Sequence, residues 1–202
     1  MKRLRSLATG ALLIALAACT VQSQDILEDV TEGNASSSSS SDTLLSQSLE
    51  QPFQDGVEIG RAGASLAMDL FLNYDSPYSR QFHALMPLLH TNFIEKGTLK
   101  VRIFPTAFAK YPESARKAAM LRCATAQGKG AAMHGLLITG TETLLPAGTD
   151  RAAFDACTAQ SAPASTGQQR GVTVVPTYVI NEKTFTGVPT EADLLGAIRN
   201  AL

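Results

Sequence analysis

The segment from Ala67 to Ile103 constrains the fold most. Ala67 to Asn73 (AMDLFLN) is an apolar run with the length of a buried strand. Tyr74-Asp75-Ser76-Pro77 follows as a helix-start signal, with a preferred cap residue ahead of a proline. Phe82, Leu85, Met86, Leu89 and Phe93 then recur at helical spacing and form one apolar stripe. Pro87 inside that stripe predicts a kink, because proline lacks the amide hydrogen that the helix needs. Gly97 predicts a stop. Leu99, Val101 and Ile103 alternate with Lys100 and Arg102, which reads as a second strand. Two strands joined through one helix predict a parallel, right-handed βαβ unit.

The rest of the chain extends this unit. Glu113 to Gln127 is Ala-rich and helical, broken by Gly128 and Gly130. Residues 131–160 read as further helices around a Pro146-Ala147-Gly148 loop. Val172 to Ile180 is a β-branched run interrupted by Pro176, and Asn181-Glu182-Lys183 turns it into Thr184-Phe185-Thr186, which predicts a hairpin. Thr190 to Leu202 reads as an amphipathic helix carrying Leu194, Leu195 and Ile198. The predicted order is β-α-β, a helical insertion over about 111–168, then β-β-α. The ordered domain is predicted to run from 60 to 202.

The N-terminus reads as an export signal. Lys2, Arg3 and Arg5 precede an apolar stretch from Leu7 to Ala18 that is too short for a good membrane-spanning helix. The stretch ends in Leu16-Ala17-Ala18-Cys19, which resembles the lipobox of bacterial lipoproteins. That resemblance implies a signal peptide over 1–18, cleavage before Cys19 and lipidation of Cys19, whose acyl chains would give a firm membrane anchor. An ordinary secretory signal with an incidental Cys19 is the competing reading. Thr20 stands where an inner-membrane retention signal would have Asp, which by analogy favours the outer membrane. Residues 19–59 read as a tether, with six serines from Ser36 to Ser41 that could bury no core. Leu44, Leu45 and Leu49 are candidates for a short helix beside it. Removing residues 1–18 takes the formal charge from −1 to −4, so nothing in the charge invites nucleic acid. Beyond Cys19 two cysteines remain, Cys123 and Cys157. An even remainder in an exported chain suggests a disulfide, two buried free thiols being the alternative.

This order of elements resembles the thioredoxin fold with a helical insertion, as in the DsbA family of protein-disulfide oxidoreductases. Phe71 to Phe82 (FLNYDSPYSRQF) resembles the family's strand-to-active-site segment. Pro112-Glu113-Ser114-Ala115, Cys123-Ala124, Gln127-Gly128-Lys129 and Met133-His134 resemble its insertion, and Gly171 to Ile180 its cis-proline loop. The resemblance implies that Val175 and Pro176 line a groove for an extended polypeptide, with a cis bond before Pro176, and that Cys123 pairs with Cys157, since similar cysteine positions occur in some relatives. No cofactor or metal is expected.

Two departures matter more. Where the family has Cys-x-x-Cys, this chain has Ser76-Pro77-Tyr78-Ser79. Disulfide exchange needs a thiolate to attack sulfur and a second thiol to resolve the mixed disulfide, and hydroxyls do neither. The family also commonly carries a buried acid six residues before the first of those cysteines, where this chain has Leu70. Asp69 is adjacent, but strand alternation aims it at the other face. An engineered double Cys→Ser variant would normally keep the acid, so Leu70 favours natural loss of the chemistry.

A hydrolase using Ser76 would need an adjacent base and an oxyanion site. His83 lies two helical turns away, roughly 10 Å along the axis, and there is no G-x-S-x-G elbow. Ser76 reads instead as a cap. His134 has no neighbour at ligand spacing, and Arg116, Lys117 and Arg122 read as a solvated helix face. The expectation is a lipid-anchored, periplasm-facing DsbA-like protein without exchange chemistry. It would bind a polypeptide or envelope protein partner, or assist folding or assembly. A working thiol-disulfide oxidoreductase, through Cys123 and Cys157 or otherwise, is the alternative.

Overall fold

The computed structural model describes residues 55–160 and 166–202. Cys19, the signal segment and the Leu44–Leu49 stretch lie outside them. The sheet has five strands: β1 (Val57–Ile59), β2 (Leu66–Leu72), β3 (Leu99–Pro105), β4 (Thr177–Ile180) and β5 (Lys183–Thr186). They lie side by side in the order β1-β3-β2-β4-β5. The predicted parallel pair is its centre: β2 runs beside β3 with Leu66 level with Leu99 and Leu70 level with Ile103. β4 pairs antiparallel with β2, Leu70 facing Tyr178 and Phe71 facing Thr177. β1 and β5 are antiparallel edges. Thus the βαβ unit, the hairpin and the thioredoxin-like order are all present, a mixed α/β fold.

Four details differ from expectation. The sheet begins ahead of Gly60, because Val57–Ile59 pairs with β3 through a strand too short to show periodicity. The helix after β2 is broken rather than kinked: α1 (Pro77–His83) ends and α2 (Met86–Leu89) starts afresh with Pro87 in its first turn. A proline at 87 cannot bond to the His83 carbonyl, and its ring crowds that carbonyl. α2 then widens into a single π turn, His90–Ile94, before Gly97 ends it with φ of 72°. Val172–Ile180 contributes only β4, because the chain reaches the sheet after Pro176. Lys117 is buried at 7% exposure rather than solvated, for a reason that belongs to the site.

The two faces of the sheet differ. Met68, Leu70, Leu72, Tyr178 and Ile180 point into the main core, together with Phe82 of α1 and Leu194 and Ile198 of α7 (Glu191–Arg199). Thr190 caps α7 by accepting from the Asp193 amide. The insertion comprises α3 (Ser114–Thr125), α4 (Gly130–Thr139), α5 (Arg151–Gln160) and α6 (Thr166–Gln169). A disulfide joins Cys123 on α3 to Cys157 on α5, with Cα atoms 5.8 Å apart. Closing a loop over a separation of 34 residues stabilises by roughly 3 to 4 kcal/mol in the chain-entropy picture. Cys123→Ala with Cys157→Ala is therefore expected to lower the unfolding free energy by about that much in urea titration. Thiol counting on denatured, unreduced native protein should find neither cysteine free. Among the described residues no helix is long and apolar enough to cross a membrane.

Candidate functional site

The site is built where β2 hands over to α1. Asn73 organises the handover. Its side-chain amide donates to the Thr106 carbonyl at 2.8 Å, tying the end of β2 to the end of β3. Its side-chain oxygen accepts from the Asp75 amide at 2.8 Å, and its carbonyl accepts from the Ser76 amide at 3.0 Å. Such an Asx turn offers the chain a local alternative to continuing the strand. Ser76 then sits at the cap position of α1 with extended backbone (φ −79°, ψ 125°), and Pro77 fixes the first turn.

The cap expectation holds for position and fails for mechanism. Ser76 is 1% exposed, and its hydroxyl makes no capping bond. The Asn73 turn and the pre-set φ of Pro77 start the helix without it. Ser79 is wholly buried, and its Oγ accepts from the Asn73 amide at 3.0 Å. So the second serine fastens the helix to the strand end that launched it. Tyr78 points outward, 58% exposed.

The cis-proline loop lies beside this junction. The Val175–Pro176 bond is cis. Extending the β2–β4 register by two residues puts Val175 level with Asn73. Contact between the rings of Phe82 and Tyr178, 5.3 Å apart, locks α1 to β4. The Val174 carbonyl accepts from Thr177 Oγ1 at 2.7 Å, and the Pro176 carbonyl accepts from the Gly187 amide at 2.8 Å. Among the described residues no hydrogen bond engages the backbone of Val175 between them. Tyr78, Val174 (52% exposed) and Val188 (38%) supply the exposed large apolar side chains of this region.

Around the site run two buried polar networks. In the first, Lys117 of α3 reaches back to the residue before Ser76. Its Nζ is 2.7 Å from Asp75 Oδ1 and 3.0 Å from Glu142 Oε1. Desolvation pulls the ammonium pKa down, but the hydrogen bonds and charges of the two carboxylates outweigh it and hold the pKa above the ordinary lysine value. The second oxygens, Asp75 Oδ2 and Glu142 Oε2, are buried without a partner among the described residues. In the second network Tyr74 Oη is 3.0 Å from His134 Nδ1, and His134 Nε2 is 3.2 Å from His83 Nδ1. His134 is 2% exposed, and burial, with His83 beside it, drives its pKa down to about 3. Burial also lowers His83 and raises Tyr74. Neither network was legible from spacing, since each joins residues more than forty positions apart. Only the helix-start signal Tyr74-Asp75-Ser76-Pro77 was local.

Position 70 is as the alternation required. Leu70 is 1% exposed in the core, while Asp69 points to the other face, where Arg102 and Arg170 hold it. No hydrogen bond among the described residues joins Ser76 to a histidine, and no group of three metal-ligating side chains occurs among them.

The arrangement is that of a thioredoxin-type domain with Ser76 and Ser79 at the start of α1. The thioredoxin family model matches residues 53–200, and the chain belongs to that family. Solved structures share the fold. A thioredoxin-like oxidoreductase from Silicibacter pomeroyi is 18% identical, with a TM-score of 0.60 over 81% of this chain and 98% of that one. A periplasmic thioredoxin-like protein from Salmonella enterica serovar Typhimurium is 15% identical, with a TM-score of 0.55 over 82% and 98%. DsbA from Chlamydia trachomatis is 16% identical, with a TM-score of 0.56 over 71% and 89%. No curated protein matches the chain.

Proposed function

We propose that this protein is a lipid-anchored, periplasm-facing member of the thioredoxin family that binds extended polypeptide at the cis-proline edge and performs no disulfide exchange there. The observation that carries the reading is the backbone of Val175. An unpaired peptide group against a well-paired sheet is costly unless water or a partner strand takes it. A strand laid beside Val175 would satisfy it by β-addition, with Tyr78, Val174 and Val188 as apolar contacts. The missing sulfur leaves binding as what the site can do. The remaining disulfide lies within the insertion, where it ties α3 to α5 with Cys123 1% exposed and Cys157 half-buried. The lipobox-like Leu16 to Cys19 supports the anchor.

The test is a pair of assays on one preparation. Carboxymethylated, permanently unfolded α-lactalbumin should bind, and Tyr78→Ala with Val174→Asp should weaken binding at least tenfold without shifting the melting temperature by more than a few degrees. Insulin reduction by dithiothreitol should run no faster with the protein than without it. Binding indifferent to the two substitutions, or catalysed insulin reduction, would refute the reading. The anchor is checked separately. Cys19→Ala should move the protein out of the membrane fraction or leave it unprocessed.

A further inference from the structure

The face of the sheet turned away from the main core carries a groove of about 300 Å³. Phe71 and Val179 form its floor, Val172 and Val174 one wall, Thr184 and Thr186 of the edge strand the other. Arg170 lies across it, its guanidinium 4.9 Å from the Phe104 ring centre and 5.7 Å from that of Phe71. Asp69 is the groove's acid, and two guanidinium groups claim it: Arg102 through Nε and Arg170 through NH1, the latter at 2.8 Å. The nearby Glu58–Lys100 pair is balanced. Arg102 stands beside the lining rather than in it, so the cluster of one carboxylate and two guanidiniums at the Asp69 end carries one net positive charge, in a setting that is otherwise apolar and hydroxylated. This is a surface for an acidic, apolar segment.

The chain carries such a segment just ahead of the domain. Residues 42–54 hold Leu44, Leu45, Leu49 and Phe53 with Asp42 and Glu50, and no basic residue; indeed none lies between Arg5 and Arg61. Its end is placed for the purpose. Gly56 is packed so closely on β3 that an added Cβ would lie 1.9 Å from the Ile103 carbonyl oxygen and 3.5 Å from Phe104 Cα. The chain therefore joins the sheet beside Phe104, whose ring Arg170 covers. Gly56 leads into β1, and from β1 to β4 is three strand spacings, about 14 Å. Residues 42–54 would span about 20 Å even as a helix. Reach, charge and apolar content agree.

We propose that residues 42–54 dock in this groove of their own chain, with leucines on Val172 and Val179 and carboxylates toward Arg170 and Arg102. Docking there braces the stretch from Arg170 to Val174 that leads into the cis-proline loop. It also joins tether to domain without occupying the Val175 edge.

The chain has no tryptophan, so Leu45→Trp is a single reporter. It is placed in the chain from residue 19 onward carrying Cys19→Ala, which avoids acyl chains and detergent. Acrylamide quenching is measured in three backgrounds: parent, Thr184→Glu with Thr186→Glu, and Thr184→Lys with Thr186→Lys. Both threonines are exposed on the edge strand. The expected result is quenching at least threefold stronger in the Glu background than in the parent, with the Lys background as protected as the parent. Each background must melt within a few degrees of the parent; a pair that does not is replaced by the exposed Thr173→Glu or Thr173→Lys. Equal quenching in all backgrounds would overturn the proposal. So would protection that rises between 1 and 100 µM protein, since the occupant would then be a second copy.

Discussion

Ser76→Cys with Ser79→Cys is expected to form a disulfide, and adding Leu70→Glu is expected to raise its exchange rate by about 100-fold, the scale of positioned acid–base catalysis. The geometry supports the first step. Positions 76 and 79 are one turn apart at the start of α1, and the helix N-terminus lowers the pKa of the first introduced thiol. Ser79 already receives the Asn73 amide, so a sulfur there inherits a weaker version of the same bond. The second step follows from the strand. Leu70 sits in the core between Ile103 of β3 and Tyr178 of β4, and offers nothing that could take a proton. Asp69 cannot substitute, because it faces away and is bound by two arginines. The added carboxylate is buried, so the triple variant should be less stable than the double. Dithiol oxidation rates of both, after each is shown to be folded, decide the matter. A double variant as fast as a working relative, with no gain from Leu70→Glu, would show that only the cysteines were lost.

Much of this site was legible because its parts are local. The strand-to-helix junction, the proline at 77 and the hairpin are each written within a dozen residues, and hydrophobic period supplied the elements between them, while the cis bond at Pro176 came from the resemblance. The Cys123–Cys157 pairing came from a count of cysteines and a resemblance. What escaped was set by tertiary packing. Lys117 read as solvated because its helix offers no periodic signal, and its partners are Asp75 and Glu142, 42 and 25 residues away. The hydroxyl of Ser76 read as a cap because the residue type is right, yet Asn73 took over that work through its side-chain amide and oxygen. β1 escaped because three residues are too few to establish a period.

The same packing makes the fold acid-sensitive. His134 is bonded at both ring nitrogens, to Tyr74 and to His83. A neutral ring holds one proton, so one nitrogen donates and the other accepts, and the chain runs in one direction or the reverse. A second proton would spoil one bond and leave a charge at 2% exposure. This is why burial, with His83 as a lesser contributor, takes its pKa to about 3 from 6.5. The unfolded chain binds a proton near pH 6.5 while the folded one does not. The stabilisation is therefore complete above that pH and is lost as the pH falls toward 3. At pH 4 the loss from His134 is about 3 kcal/mol. His83, also lowered by burial, adds in the same sense. Glu142 adds too, since its own backbone amide and Lys117 hold its carboxyl below the usual range and protonation removes that support. The contributions are separable. Tyr74→Phe with His134→Leu removes both partners of one buried bond and frees only Nδ1 of the half-buried His83. Urea titrations at pH 7, 5.5 and 4 should show the parent losing stability steeply on acidification. The double variant should lose less, by about 1.4 kcal/mol per pH unit, the value of one proton. Identical slopes in parent and variant would mean that His134 titrates alike in the folded and unfolded chain, and that its place between Tyr74 and His83 contributes nothing to acid stability.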